Sequence, residues 1–398
     1  MTKPWRETPL IESAALSRAA GCKVFMKLDN LQPSGSFKSR GIGNYLISHL
    51  ARSKHPGELT PPSTNGTNTP VNDGDQPRTN APAHFYCSSG GNAGLACATA
   101  AAQLHHPCTV VVPESTKQLM IDKIRAVGES DVIVHGASWQ EADAFLREEL
   151  LSKDPGGVYV PPFDAPDIWR GNATLVEELV KQLAQLSVAA RTNSGVGGPE
   201  TNGDFRTPMA TDETVIPEPP DAIICSVGGG GLLNGIVQGI TSPSLNPSTS
   251  SSPNVPSWAS TPVIGTETLG ADSMASSVAA GELITLPAIK SAATSLGARR
   301  VCQQTFDYAT DPSLNIKSVV LTDDEAARAC VRFANEERMM VELSCGVSIA
   351  LCYDEKRRLE TILRSLGRWR GEDTKVILEI CGGSVVTVEM LETWRRAM

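Results

Sequence analysis

An α/β fold with mainly parallel sheets is predicted by three features of the sequence. Short, continuous apolar runs of β-branched character alternate with stretches of helical spacing, the pattern of strands covered on both faces. Glycine-rich loops fall directly between such a run and the helical stretch after it, where parallel sheets bind ligands. The chain, at 398 residues, is long enough for two domains with sizeable cores.

The elements follow in order. Val24 to Leu28 reads as a short strand, and Phe37 to Arg52 as a helix with apolar Ile42, Tyr45, Leu46, Ile47 and Leu50 at roughly helical spacing. Phe85 to Ser88 is a strand and Leu95 to Leu104 an alanine-rich helix. Thr109–Val112 and Val132–Val134 are strands, each followed by a helix, Thr116 to Val127 and Trp139 to Leu151. Further strands are expected at Ala222–Val227, Val263–Thr266, Val319–Leu321 and Val376–Ile380, and Glu342 opens a long helix. Three stretches break the pattern: Ser53 to Ala83, Ser187 to Pro220 and Thr241 to Thr261. They are rich in Pro, Thr, Ser, Asn and Gly and have little to bury, so they read as insertions in a compact fold.

Composition narrows the function. A net charge of −9 disfavours nucleic acid and anionic membrane as partners. No apolar run approaches a membrane span, and the first twenty residues show no secretory signal. The ten cysteines are scattered, without a C-x-x-C pair or a zinc spacing, and suit reduced, buried thiols in a cytoplasmic protein.

The chain is organised around Pro33-Ser34-Gly35-Ser36-Phe37-Lys38-Ser39-Arg40-Gly41. This small-residue turn delivers Lys38 to the start of a helix, with Ser34 and Ser36 as natural caps. The positive end of a helix disfavours the lysine's own charge, which makes a neutral, nucleophilic amine easier to reach. Such an amine is suited to a Schiff base with an aldehyde. Ser88-Ser89-Gly90-Gly91-Asn92-Ala93-Gly94 follows a strand and opens a helix; its hydroxyls and N–H groups suit a carboxylate, and Asn92 offers an amide donor. Ser226-Val227-Gly228-Gly229-Gly230-Gly231 places four uncrowded N–H groups at a helix start, which suits a phosphate. It is neither a dinucleotide fingerprint nor a P-loop. Cys381-Gly382-Gly383-Ser384 closes the last strand. Each motif alone has a structural explanation as a cap, a turn or a hinge.

Together and in this order, these four motifs resemble the fold type II pyridoxal-phosphate enzymes. Among these the chain is most similar to the serine/threonine dehydratases, especially the eukaryotic L-serine dehydratases. The likeness runs from Thr8-Pro9-Leu10 through Tyr159 to Phe163 and on to the C-terminus, broken by the three insertions. It implies a tryptophan synthase β-like fold of two three-layer α/β domains. Residues 36–163 would form the small domain, with insertion 53–83; residues 1–35 and 164–398 would form the large one, with insertions 187–220 and 241–261.

The resemblance also implies roles. Lys38 would carry pyridoxal 5′-phosphate as a Schiff base, Phe37 would lie against one face of the ring and Ser295 at the other, and Asn92 would bond the ring's 3-oxygen. Gly228, Gly229, Gly230 and Gly231 would bind the phosphate, and Cys381 would face the ring nitrogen. Ser88, Ser89, Gly90 and Asn92 would hold the substrate carboxylate. A monovalent cation such as K+ would sit at Glu267, Ala271, Leu296 and Ala298, and the protein would be a homodimer. The implied reaction is loss of water from L-serine followed by hydrolysis to pyruvate and ammonia, with L-threonine to 2-oxobutyrate as a second substrate. Gly90 departs from the alanine of many active dehydratases and matches a less active, dehydratase-like branch. Gly90→Ala is therefore expected to raise turnover, provided that the backbone there admits a β-carbon. Cysteine synthase, serine racemase and a cofactor-binding protein without turnover are the competing readings; the first two typically carry Ser where Cys381 stands.

Overall fold

The computed structural model describes residues 2–54, 82–128, 130–193, 216–246 and 257–398. Residues 55–81, 194–215 and 247–256, the greater part of the three expected insertions, lie outside the described residues. Among the described residues ten strands form two sheets: β1 Leu10–Glu12, β2 Lys23–Lys27, β3 His84–Cys87, β4 Cys108–Val112, β5 Ser130–Val134, β6 Gly157–Tyr159, β7 Ala222–Ser226, β8 Val263–Thr268, β9 Ile316–Leu321 and β10 Lys375–Glu379. The larger sheet has the order β1-β2-β10-β7-β8-β9, and the smaller the order β5-β4-β3-β6. Every pairing is parallel except β1 with β2.

Thirteen α-helices surround these sheets among the described residues. They are α1 Ala14–Ala20, α2 Lys38–Lys54, α3 Asn92–Gln103, α4 Gln118–Arg125, α5 Trp139–Phe145, α6 Pro166–Asn193, α7 Gly231–Ile240, α8 Ser273–Ala280, α9 Gln303–Thr310, α10 Asp323–Glu337, α11 Leu343–Cys352, α12 Arg358–Ser365 and α13 Val388–Arg396. Both faces of the larger sheet are covered, as its continuous apolar strands require. Adjacent residues of β8 show the two faces. A β-carbon on Gly265 would point at Leu233 of α7, whereas the Thr266 hydroxyl lies 2.7 Å from Ser348 of α11. Separate apolar cores fill the two layers, one around β2, β7, β8, β10 and α11, the other around β3, β4, α2 and α3.

Four boundaries differ from the expectation. α6 runs on to Asn193, so the stretch expected to begin as an insertion at Ser187 starts as helix; its Ala-rich turns propagate readily from a long packed helix. In the third stretch Trp258 is fully buried in the larger core and its indole N–H donates to the Pro217 carbonyl (3.0 Å), so the polar run 241–261 ends on an anchored 3₁₀ turn. Ser53 and Lys54 complete α2 rather than open a loop. The helix expected from Trp139 to Leu151 is α-helical only to Phe145 and continues as a π turn, Leu146–Leu150.

α2 is tied to the larger sheet by a buried ionic network. The Arg40 guanidinium, fully buried, donates to Asp29 (2.7 and 2.8 Å) and to Glu178 of α6 (2.5 and 2.8 Å). Lys27 of β2 donates to Glu178 and to the Thr8 carbonyl, both at 2.6 Å. Burial alone would raise the Asp29 carboxyl, but Arg40 and the Thr8 hydroxyl hold it below the usual range. Two cations face two carboxylates with their hydrogen bonds filled, the arrangement a dry ionic cluster needs.

Candidate active site

Lys38 is the first residue of α2, at the end of a turn stitched to the loop after β10. Gly35 has a left-handed φ of 75°, and its carbonyl accepts from the Gly383 N–H (2.9 Å). The Phe37 N–H donates to the Cys381 carbonyl (3.2 Å), and Ser36 bridges Gly382. The expected serine caps differ: Ser34 and Ser39 bond each other's hydroxyls (2.8 Å), and the buried Ser36 hydroxyl has no partner among the described residues. The Lys38 amine is partly buried, donates to the Pro162 carbonyl (2.6 Å) and lies 5.2 Å from the Phe37 ring centre and 5.9 Å from that of Phe163. Burial pushes its pKa down to about 8, against the opposing pull of the Cys87 and Cys381 thiols. Desolvation is thus the main cause of the shift expected from the helix end.

The tetraglycine loop joins β7 to α7 and is made of glycine because its surroundings leave no room. A β-carbon would fall 2.3 Å from the Phe163 ring at Gly229, 1.9 Å from Thr305 Oγ1 at Gly230 and 2.7 Å from the Phe163 carbonyl at Gly231. Gly230 also has φ 92°, in the left-handed region. The carbonyls of Gly229, Gly230 and Gly231 are engaged by Cys302 N–H, Asn234 N–H and Asn172 Nδ2 (3.1, 2.9 and 2.9 Å). The loop's N–H groups, among the described residues, donate to no protein acceptor. Unfilled donors at the start of a helix fit a phosphate.

Asn92 opens α3 and faces the opposite wall. Its Oδ1 accepts from the Ser384 N–H (2.9 Å); its Nδ2 donates to Glu342 (3.0 Å) and lies 3.5 Å from Ser295 Oγ. The structure therefore brings Asn92, Ser295 and the Cys381–Ser384 loop together. Ser89 stays at the loop, its hydroxyl 3.4 Å from the Gly91 N–H. The Ser88 hydroxyl does not serve that loop as expected: it donates to Asp143 (2.5 Å), behind the sheet end, because Asp143 of α5 offers a charged acceptor shared with Tyr159 (2.8 Å). Gly90 is outside the left-handed region, yet a β-carbon there would fall 2.5 Å from Oγ1 and 2.6 Å from Cγ2 of Thr116. The backbone admits alanine; the side chain of Thr116 stands in its place.

Cys381 is buried, and its sulfur accepts from the Ser226 hydroxyl (3.5 Å). Contact with the Cys345 thiol, then burial, pushes its pKa well up, so Cys381 presents a neutral S–H. Of the expected cation residues, Glu267 has its carboxylate committed to the Met274 and Ala275 N–H groups (2.8 Å each), where it caps α8. Ala271 and Leu296 are buried, and the Ala298 N–H donates to the Leu296 carbonyl (2.7 Å). Among the described residues, no group of three or more His, Cys, Asp or Glu side chains is placed to hold a metal ion. Phe163, Thr116 and Glu342 shape the site without having been assigned to it from sequence.

A glycine loop with unfilled N–H donors, a desolvated lysine and an amide donor suit an enzyme that holds a phosphorylated aldehyde. The family model for pyridoxal-phosphate dependent enzymes matches residues 1–199 and 210–363, and the chain belongs to that family. It is similar to a catabolic L-serine/threonine dehydratase of Saccharomyces cerevisiae, 35% identical over 98% of this chain and 91% of the yeast protein. It is likewise similar to a serine dehydratase-like protein of Rattus norvegicus, 35% identical over 97% of this chain and 93% of the rat protein. Among solved structures it resembles a fungal L-serine ammonia-lyase from Rhizomucor miehei, with TM-score 0.74, 30% identity and 99% of each chain covered. The fold type II assignment agrees with both findings. No described helix is long and apolar enough to cross a membrane.

Proposed function

We propose that this enzyme is an L-serine ammonia-lyase that releases pyruvate and ammonia from L-serine, with L-threonine as a second substrate. The carrying observation is the linkage through Phe163. Its ring fills the space beside Gly229 and lies 5.9 Å from the Lys38 amine, which puts a low-pKa amine next to a phosphate cradle. In this reading Gly228 to Gly231 hold the phosphate of pyridoxal 5′-phosphate, Phe37 and Ser295 flank its ring, Asn92 meets the 3-oxygen and Cys381 the ring nitrogen. When bound, the cofactor supplies an aldehyde for the substrate amine and a conjugated ring that takes up the electron pair left by the α-proton.

The chain's own residues do the rest. Ser89, Asn92 and the N–H groups around Gly90 and Gly91 orient the substrate carboxylate. The Lys38 amine, neutral in a large fraction near its pKa of about 8, takes the α-proton as general base. Cys381, held as S–H by Cys345 and burial, places no negative charge against the ring nitrogen. Ser88 fixes the carboxylate loop from behind through Asp143. The same reading makes the protein a cytoplasmic homodimer active in amino-acid breakdown, with a K+-type cation at Glu267, Ala271, Leu296 and Ala298.

Borohydride reduction followed by peptide mapping should label Lys38, and Lys38→Ala should abolish both the label and pyruvate release. Label on another lysine would sink the assignment. Cysteine formed from O-acetylserine and sulfide, or D-serine formed from L-serine, faster than pyruvate would favour the synthase or racemase reading instead.

A further inference from the structure

Glu342 immediately precedes α11 and its carboxylate lies buried in the inner wall of the cleft. One carboxylate oxygen accepts from Asn92 Nδ2 (3.0 Å) and from the Val385 N–H (2.9 Å). The other accepts from the Ser295 hydroxyl and from Ser344 Oγ (3.2 Å). Among the described residues no Lys, Arg or His side chain lies within ion-pairing distance of it. A buried carboxylate without a counter-ion is costly unless its lone pairs are filled, and here four donors fill them. The chain also makes room for it: Gly383 has φ 119°, and a β-carbon there would fall 2.2 Å from Glu342 Cδ.

The four donors come from separate segments. Asn92 opens α3, which follows β3 of the smaller sheet, Ser295 belongs to a 3₁₀ turn between α8 and α9, Val385 to the loop after β10 and Ser344 to α11. We infer that Glu342 is a positioning residue that clasps the Asn92 loop to the larger sheet and fixes which way the Asn92 amide faces. The amide cannot flip, because Oδ1 already accepts from the Ser384 N–H. One of its two Nδ2 hydrogens goes to Glu342; the other points where Ser295 Oγ, at 3.5 Å, is too far for a good bond. A ligand atom that reaches Asn92 therefore meets a donor and must itself be an acceptor, such as a phenolic or carboxylate oxygen. This rests on the reading that Asn92 faces the ligand. A second tether, Lys123 Nζ to the Ser384 carbonyl (2.5 Å), holds the same C-terminal loop from α4, so loss of Glu342 removes the acceptor of Asn92 Nδ2 without releasing the loop.

The test compares wild type, Glu342→Gln and Glu342→Ala. Gln keeps one acceptor oxygen, whereas Ala keeps none. In the cofactor-free protein, hydrogen exchange of the Ser88–Gly94 amides should rise about tenfold in Ala and less in Gln, as befits one or two charge-assisted bonds. The Kd for added pyridoxal phosphate should weaken by about tenfold in Ala, again with Gln between, and its bound absorption band should shift in both. A structural filler would leave that band unmoved and would not be ranked Gln before Ala. Exchange and Kd within twofold of wild type in both variants, with Lys38 still labelled by borohydride, would overturn the clasp. Failure of wild type to label Lys38 would instead overturn the proposed function, and the exchange data would still judge the clasp. If Ala does not fold, Gln decides the matter by the same readouts.

Discussion

Replacing Gly90 by alanine tests the substrate loop most directly, because the space for one methyl group is known. The family resemblance favours a gain, since alanine there removes backbone freedom worth about 0.4–1 kcal/mol. The structure reverses the sign. The new carbon would fall 2.5 and 2.6 Å from the Oγ1 and Cγ2 atoms of Thr116 and 3.1 Å from its Cβ. Two branches and the stem of a β-branched side chain cannot all be avoided by one rotation. Overpacking of this kind costs about 1–3 kcal/mol, so the net loss centres on about 1 kcal/mol. It should appear as displacement of the Ser88–Gly94 loop, lowering kcat/KM for L-serine by about fivefold. Thr116→Ser removes Cγ2 and lets the remaining oxygen turn away. The double variant Gly90→Ala/Thr116→Ser should recover at least the wild-type value. The assay is pyruvate release against serine concentration for the four proteins of the cycle, with thermal midpoints alongside. A single Gly90→Ala variant with higher kcat/KM and an unchanged or higher midpoint would refute the argument, and would mean that Thr116 gives way at little cost.

Two further outcomes follow from buried charge. Arg40→Met removes the guanidinium between Asp29 and Glu178 and strands the buried Asp29 carboxylate, Glu178 keeping Lys27, which should cost about 3–5 kcal/mol in urea unfolding; a loss under about 1 kcal/mol would show that water enters the gap. Burial lowers the Lys38 pKa to about 8, so the neutral fraction grows as pH rises through 8 and is nearly complete by about 9. Capture of pyridoxal phosphate by cofactor-free protein, followed by stopped-flow absorbance, should therefore rise and then level off there, and a rate still climbing past pH 10 would contradict the burial argument.

What could be read from sequence divides along a physical line. The glycine loops were legible because a glycine run between an apolar strand and a helix has few other uses, and all four motifs indeed end on one cleft wall or the other. Strands such as β4 and β8 were legible because their residues are apolar without a break. β1 and β6 were not: each has three residues, the first is an edge strand with two exposed positions and the second begins with glycine. Trp258 was hidden by its neighbours, a single large side chain in a polar stretch whose partner, Pro217, lies 41 residues away. Glu342 shows the limit most clearly. Locally it is only the residue before a helix, and a cap is the ordinary expectation there. Its partner Asn92 is 250 residues distant, and no composition or period links the two. One mark was present in the sequence: the second glycine of Gly382-Gly383, which a serine- or cysteine-based assignment of that loop does not require. With Glu342 in place the glycine is required, since its left-handed φ and the carboxylate behind it leave no room for a β-carbon. A glycine beyond what the local turn needs is thus evidence of a long-range neighbour, although the sequence cannot say which one.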